Sequence, residues 1–193
     1  MNTTPKRIAV FASGSGTNAE NIIQHFKNSD VASVALVLTN NGKAGVIERA
    51  KNLNVPVVVF NRNDFYESGS VMKTLQDHHI DFIVLAGFLW LVPETFIRAF
   101  ENKIINIHPA LLPGFGGKGL YGSHVHRAVI DSGALLSGIT IHYVNDKFDD
   151  GEIIFQAACH ISKEDTPDSL ATKIHELEYK YFPTVIEKVV HQV

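Results

Sequence analysis

The chain has 193 residues, about 45% of them apolar and 19% charged, with a formal net charge of −3. That is long enough for one well-buried core in a single domain, 1–193, and it carries no basic footprint for nucleic acid. A single cysteine, Cys159, excludes an internal disulfide, and its apolar surroundings predict a small buried residue.

The opening Met1–Arg7 is short and polar and leads directly into a strand. No signal peptide and no apolar stretch of spanning length is visible, so a soluble, cytoplasmic protein is expected. Strands are predicted over Arg7–Ala12, Val31–Thr39, Val57–Phe60, Asp81–Ala86 and Lys103–His108, most of them apolar on both faces. Helical spacing over Asn18–Lys27, Ala44–Leu53, Ser70–His78 and Pro93–Phe100 fills the intervals. Alternation of this kind implies βαβ units with right-handed crossovers, hence an α/β, doubly wound, mostly parallel sheet.

After residue 110 the pattern changes. Leu112–Gly122 holds five glycines in eleven residues and reads as an exposed, mobile loop. Ser123–Asp131 reads as a helix capped by Ser123. Gly138–Val144 and Glu152–Ile161 read as an antiparallel C-terminal strand pair. Thr166-Pro167 is an N-cap followed by proline, opening a long helix that Pro183 is expected to kink or split.

Two segments carry chemistry. Ser13-Gly14-Ser15-Gly16-Thr17-Asn18 joins the first strand to the first helix, where glycine permits a tight turn and the helix start offers free N–H groups to an anion. A dinucleotide is disfavoured because the second strand ends Thr39-Asn40-Asn41-Gly42 without an acid, and no Gly-Lys-Ser/Thr run supports ATP hydrolysis. A monophosphate on a small molecule fits best. In Ile105-Asn106-Ile107-His108-Pro109, alternation along a strand puts Asn106 and His108 on one side, and Pro109 ends the strand there. An amide N–H and an imidazolium together suit an oxygen that gains negative charge. A carboxylate from Asp146, Asp149 or Asp150 would favour the charged ring, and the spacing leaves all three open. No serine, cysteine or lysine is placed as a nucleophile, which favours direct attack by a substrate. His124, His126, His78 and His79 read as surface histidines rather than metal ligands.

With Ser13–Asn18, Leu85-Ala86-Gly87-Phe88, Asn106 through Pro113, His142-Tyr143-Val144, Phe148-Asp149 and Glu178 before Phe182-Pro183, the chain resembles the folate-dependent glycinamide ribonucleotide formyltransferases over essentially its whole length. The resemblance implies a Rossmann-like formyltransferase fold and transfer of formyl from 10-formyltetrahydrofolate, a cosubstrate, to the amine of glycinamide ribonucleotide, a step of purine synthesis. It assigns Asn106, His108 and Asp149 to catalysis and Gly16, Thr17 and Asn18 to the substrate phosphate. Leu89, Trp90, Leu91, Val92, Asn106 and Val144 are assigned to the folate and Glu178 to the ribonucleotide. Apart from the resemblance, His142, two positions from Val144 on an alternating strand, is expected to face the site in support of His108. Trp90 stands where many relatives carry arginine, and no arginine counterpart near the folate is evident around Phe60–Ser70. No metal is called for; the expected partners are small molecules, without nucleic acid or membrane, the chain acting as monomer or homodimer. The rival readings are a 10-formyltetrahydrofolate hydrolase, expected to carry an extra N-terminal domain, a methionyl-tRNA formyltransferase with a basic C-terminal domain, and a non-catalytic nucleotide-binding module.

Overall fold

In a computed structural model, which describes residues 4–192, seven strands form one sheet in the order β3-β2-β1-β4-β5-β6-β7. Part of the polar opening segment, Met1–Thr3, lies outside the described residues. β1 (Lys6–Phe11), β2 (Ala32–Thr39), β3 (Val57–Val59), β4 (Phe82–Leu85) and β5 (Ile104–His108) are mutually parallel. β6 (Leu136–Tyr143) and β7 (Ile153–His160) complete it as an antiparallel pair. The expected α/β, mostly parallel sheet is therefore present, with strand ends moved by a residue or two.

Helices cover both faces. One core gathers Ile8, Val10, Ile105 and Ile107 beneath α1 (Thr17–His25), α2 (Val46–Asn52), α6 (Ser123–Asp131) and α7 (Pro167–His191). The other gathers Ala9, Phe11, Ile83 and Ile104 beneath α3 (Arg62–Tyr66), α4 (Ser70–Asp77) and α5 (Glu94–Ala99). Strict alternation along β1 feeds the two cores in turn, which is why the buried strands carry apolar residues on both sides.

Four expectations are corrected. α6 starts at Ser123 itself, and its cap is Gly122 at φ 53°, with no side-chain cap bond. α3 was not read from the sequence because it has five residues and too little periodicity. Its signal was local, a capping box in which Asn61 and Asp64 satisfy one another's backbone N–H groups. α7 runs unbroken through Pro183. The carbonyl that Pro183 leaves without its helical partner, that of Tyr179, accepts a hydrogen bond from the Asn21 amide at 2.9 Å, so the missing N–H is replaced from α1. Cys159 is half-buried, because β7 is the sheet's edge strand. Thr166 does cap α7, its hydroxyl accepting from Ser169 N at 3.2 Å.

Among the described residues, no helix is long and apolar enough to cross a membrane.

Candidate active site

Strand order reverses between β1 and β4, so the connections leaving their carboxyl ends diverge and open a crevice. The loop after β1 is Ser13–Gly16, and the loop after β4 begins Ala86-Gly87-Phe88. They are tied together: Ser13 N donates to Gly87 O at 3.0 Å, and Leu89 N donates to the Ser13 hydroxyl at 3.1 Å. A cleft of about 590 Å3 opens there, lined by both loops, by Asn106 and His108, by the glycine-rich loop and by Glu178.

At one end of this cleft stands the start of α1. Gly16 precedes the helix at φ 78°, a left-handed conformation that costs a side-chain-bearing residue about 1–2 kcal/mol. A Cβ there would also sit 2.5 Å from Val46, so glycine is needed twice over. The first-turn N–H groups of Thr17, Asn18 and Ala19 precede any helical acceptor and face an incoming anion. Asn18 Nδ2 donates to Glu178 Oε2 at 2.8 Å, joining α1 to α7. Glu178 is only 5% exposed, and burial pushes its carboxyl up to about 7, against the opposing pull of the Asn18 hydrogen bond and the His108 charge.

At the other end stand four polar side chains on one face of β5 and β6. Antiparallel pairing sets Asn106 opposite His142, so the two share a face with His108 and Thr140. His142 Nδ1 faces the Tyr143 carbonyl at 2.8 Å, which assigns the proton to Nδ1 and leaves Nε2 to accept from Asn106 Nδ2 at 3.1 Å. Asn106 Nδ2 also reaches Asp149 Oδ1 at 3.4 Å. His108, 3% exposed, points Nδ1 at the same oxygen, also at 3.4 Å.

Of the three acidic candidates, Asp149 alone reaches this group. It takes the left-handed region at φ 53°, unusual for a residue with a side chain, and Gly117 N donates to its second oxygen at 3.0 Å. Asp150 instead pairs with Asn145 and Lys147. Burial alone would raise the Asp149 carboxyl. The bond to His108, the His108 charge and the Gly117 N–H outweigh it and hold the group well below the usual carboxylate range. His108 Nε2 lies 2.7 Å from the Phe115 carbonyl. A carbonyl accepts only, so Nε2 carries a proton, and Nδ1 is the nitrogen that faces Asp149 and the cleft.

Residues 112–122 are thus not simply exposed. Leu112 is buried, Phe115 packs against the core, and the loop supplies two backbone groups to the site. Composition hid this, because a backbone carbonyl or N–H has no signature in sequence. His126 also departs from the surface reading. It is 4% exposed and lines the cleft, since it stands three residues before Val129 on the buried stripe of α6, whereas His124 is exposed.

Phe88 and Leu89 line the cleft, and Leu89 is among the exposed large apolar residues. Trp90, Leu91, Val92 and Val144 lie away from its wall. Trp90 packs with Phe60, Phe65, Tyr66 and Phe88; the Leu91 carbonyl accepts from the Tyr66 hydroxyl at 2.9 Å; Val92 is buried beside Phe96, and Val144 packs on the same core. Within Phe60–Ser70, where no arginine counterpart is evident from sequence, Arg62 stacks its guanidinium 5.2 Å from both the Trp90 and Tyr66 rings. No group of three or more metal-ligating side chains occurs among the described residues.

The family model for formyl transferases matches residues 6–186. The chain belongs to the formyl transferase family. The chain is 37% identical over 189 residues to the phosphoribosylglycinamide formyltransferase of Bacillus subtilis, covering 95% of this chain and 94% of that one. It is 41% identical to the chloroplastic phosphoribosylglycinamide formyltransferase of Arabidopsis thaliana, of which it spans 64%, and it spans 60% of the corresponding protein of Vigna unguiculata. Its fold matches the crystal structure of phosphoribosylglycinamide formyltransferase from Bacillus halodurans with a TM-score of 0.86 at 41% identity, covering 96% and 95% of the two chains. Glycinamide ribonucleotide transformylase 1 from Geobacillus kaustophilus gives 0.87 at 38% identity, covering 96% and 99%.

Proposed function

We propose that this formyltransferase acts as one domain to move the formyl group of 10-formyltetrahydrofolate to the amine of glycinamide ribonucleotide. The observation that carries the reading is the joint presence, in one cleft, of an anion-binding helix start at Gly16–Asn18 and of the Asn106–His108–Asp149 group. A ribonucleotide anchored by its phosphate at Gly16, Thr17 and Asn18 presents its amine toward His108, and Glu178 holds its middle. The folate enters along Phe88 and Leu89, with Trp90, Leu91, Val92 and Val144 supporting that wall from behind.

Attack of the amine nitrogen on the formyl carbon converts the formyl oxygen to an oxyanion. Asn106 and the Nδ1–H of protonated His108 donate to it; their bonds to Asp149, both 3.4 Å long, are weak enough to yield to a charged acceptor. Asp149 sets its negative charge beside the His108 ring, and the Phe115 carbonyl and His142 fix the orientations of His108 and Asn106. Collapse of the tetrahedral adduct breaks the bond from the formyl carbon to folate N10. The proton lost by the amine passes by way of Asp149 to that nitrogen, so charge balances without a covalent enzyme adduct. Holding both reactants in one cleft removes much of the entropic barrier.

The same reading implies small-molecule partners, a monomer or homodimer, and a cytoplasmic place of action. Incubation with 10-formyl-5,8-dideazafolate should give deformylation that requires glycinamide ribonucleotide. Turnover indifferent to the ribonucleotide would make the enzyme a hydrolase and overturn the proposal.

A further inference from the structure

His126 takes no part in the chemistry above, yet it is the most deeply buried imidazole of the cleft wall that catalysis leaves unused. It sits on α6, which packs against α7, the helix whose Glu178 is bonded to Asn18 at the phosphate end. It lines the same cleft as His108 and His175, and both of those rings are close enough for their charges to bear on it. This is the ribonucleotide wall; the folate wall is formed by the β4 loop opposite.

Nδ1 of His126 is buried and has no hydrogen-bond partner among the described residues. A buried N–H without an acceptor is a rarer and costlier defect than a buried lone pair. Nδ1 therefore keeps its lone pair, and the proton of the neutral ring belongs on Nε2, the nitrogen left to meet a ligand. Burial pushes this histidine below its ordinary range, with smaller contributions in the same direction from His175 and His108, so the ring stays neutral at pH 7. A neutral N–H donor in a dry wall discriminates: it satisfies an oxygen acceptor and rejects a second donor.

We propose that His126 is a substrate-binding residue of the ribonucleotide half of the cleft, its Nε2–H donating to an oxygen of bound glycinamide ribonucleotide. This rests on the function proposed above and adds a contact to it. Two variants separate packing from donation. In His126→Phe a ring of similar size fills the wall without a donor; in His126→Gln the side-chain amide carries an N–H to about the same reach as Nε2.

His126→Phe should raise the KM for glycinamide ribonucleotide roughly tenfold to a hundredfold, the scale expected when a buried acceptor loses its donor. The KM for the folate should stay within about twofold, and His126→Gln should recover most of the loss. An unchanged ribonucleotide KM in His126→Phe, or equal losses for both substrates in both variants, would overturn the inference. Should His126→Phe fail to fold by circular dichroism, 15N-edited NMR of the wild-type enzyme decides. The His126 ring must show a neutral Nε2–H tautomer whose resonance moves on addition of glycinamide ribonucleotide and not on addition of the folate; a silent ring refutes it. Wild-type turnover without ribonucleotide would remove the function itself, whereas ribonucleotide-dependent turnover with an indifferent His126→Phe removes only this contact.

Discussion

Glu178 offers a test in which function and stability pull apart. Its carboxyl is buried, and its value is pushed from 4.5 up to about 7. The native state therefore binds a proton more tightly than the unfolded chain does. Stability from this group is fully present below pH 4.5 and is lost as pH rises through about 7. A rise of about 2.5 units, at 1.36 kcal/mol per unit, corresponds to about 3 kcal/mol lost by pH 8.5. Glu178→Gln keeps an amide oxygen to accept from Asn18 Nδ2 and removes the ionisation. The variant should match the wild type near pH 4 and exceed it by about 3 kcal/mol at pH 8.5, roughly 6–12 °C in Tm for a chain of this size. Thermal unfolding of both proteins at the two pH values measures it. Equal stability at pH 8.5, or the same gain at pH 4, would show that burial of the carboxyl is not what raises its affinity for a proton.

Asp149→Asn should lower kcat by roughly a hundredfold to a thousandfold, the scale of one lost electrostatic contribution to a developing oxyanion, while circular dichroism stays native. Because the native Asp149 carboxyl lies below its ordinary 3.8, the stability it contributes is present above that pH and is lost as pH falls further. Asp149→Asn should accordingly flatten the acid limb of the stability curve, and acid titrations of the two proteins that superimpose would contradict this. Gly16→Ala forces a Cβ against Val46 at a left-handed φ, so a loss of at least about 2 kcal/mol in urea unfolding is expected, with a larger effect on ribonucleotide KM than on kcat. Thr166→Ala removes the α7 cap bond to Ser169 and should cost about 1 kcal/mol with kcat unchanged.

Much of the fold was legible because its signals are periodic. Strands such as Phe82–Leu85, buried on both faces, read as unbroken apolar runs, and the cap at Thr166 is written in two adjacent residues. The alternation of Asn106 and His108 was legible for the same reason: period two along a strand fixes which side chains share a face. What escaped was not periodic. Choosing Asp149 over Asp146 and Asp150 depends on a turn whose φ places one carboxylate inward, and three acids in five residues carry no mark of which one turns. The burial of His126 escaped because its face is set by Val129, three residues on, and not by its near neighbour His124. The Phe115 carbonyl and Gly117 N–H belong to the backbone, and no side chain announces them.

The change from parallel to antiparallel pairing at β5 is what brings these late contributions together. Had β6 run parallel to β5, their side chains would have met in a different register. Running against β5 instead, β6 sets His142 directly across from Asn106 and ends beside Ile104, where Val144 N donates to the Ile104 carbonyl at 3.0 Å. The connection to β7 must then turn back over the β5 face, and in doing so it brings Asp149 to Asn106 and His108. Gly151 closes that turn so tightly against the Tyr143 carbonyl that a Cβ would collide with it. Gly151→Ala should therefore depress kcat, because it displaces the turn that carries Asp149. A variant that kept full kcat would mean that the turn does not set the carboxylate's position.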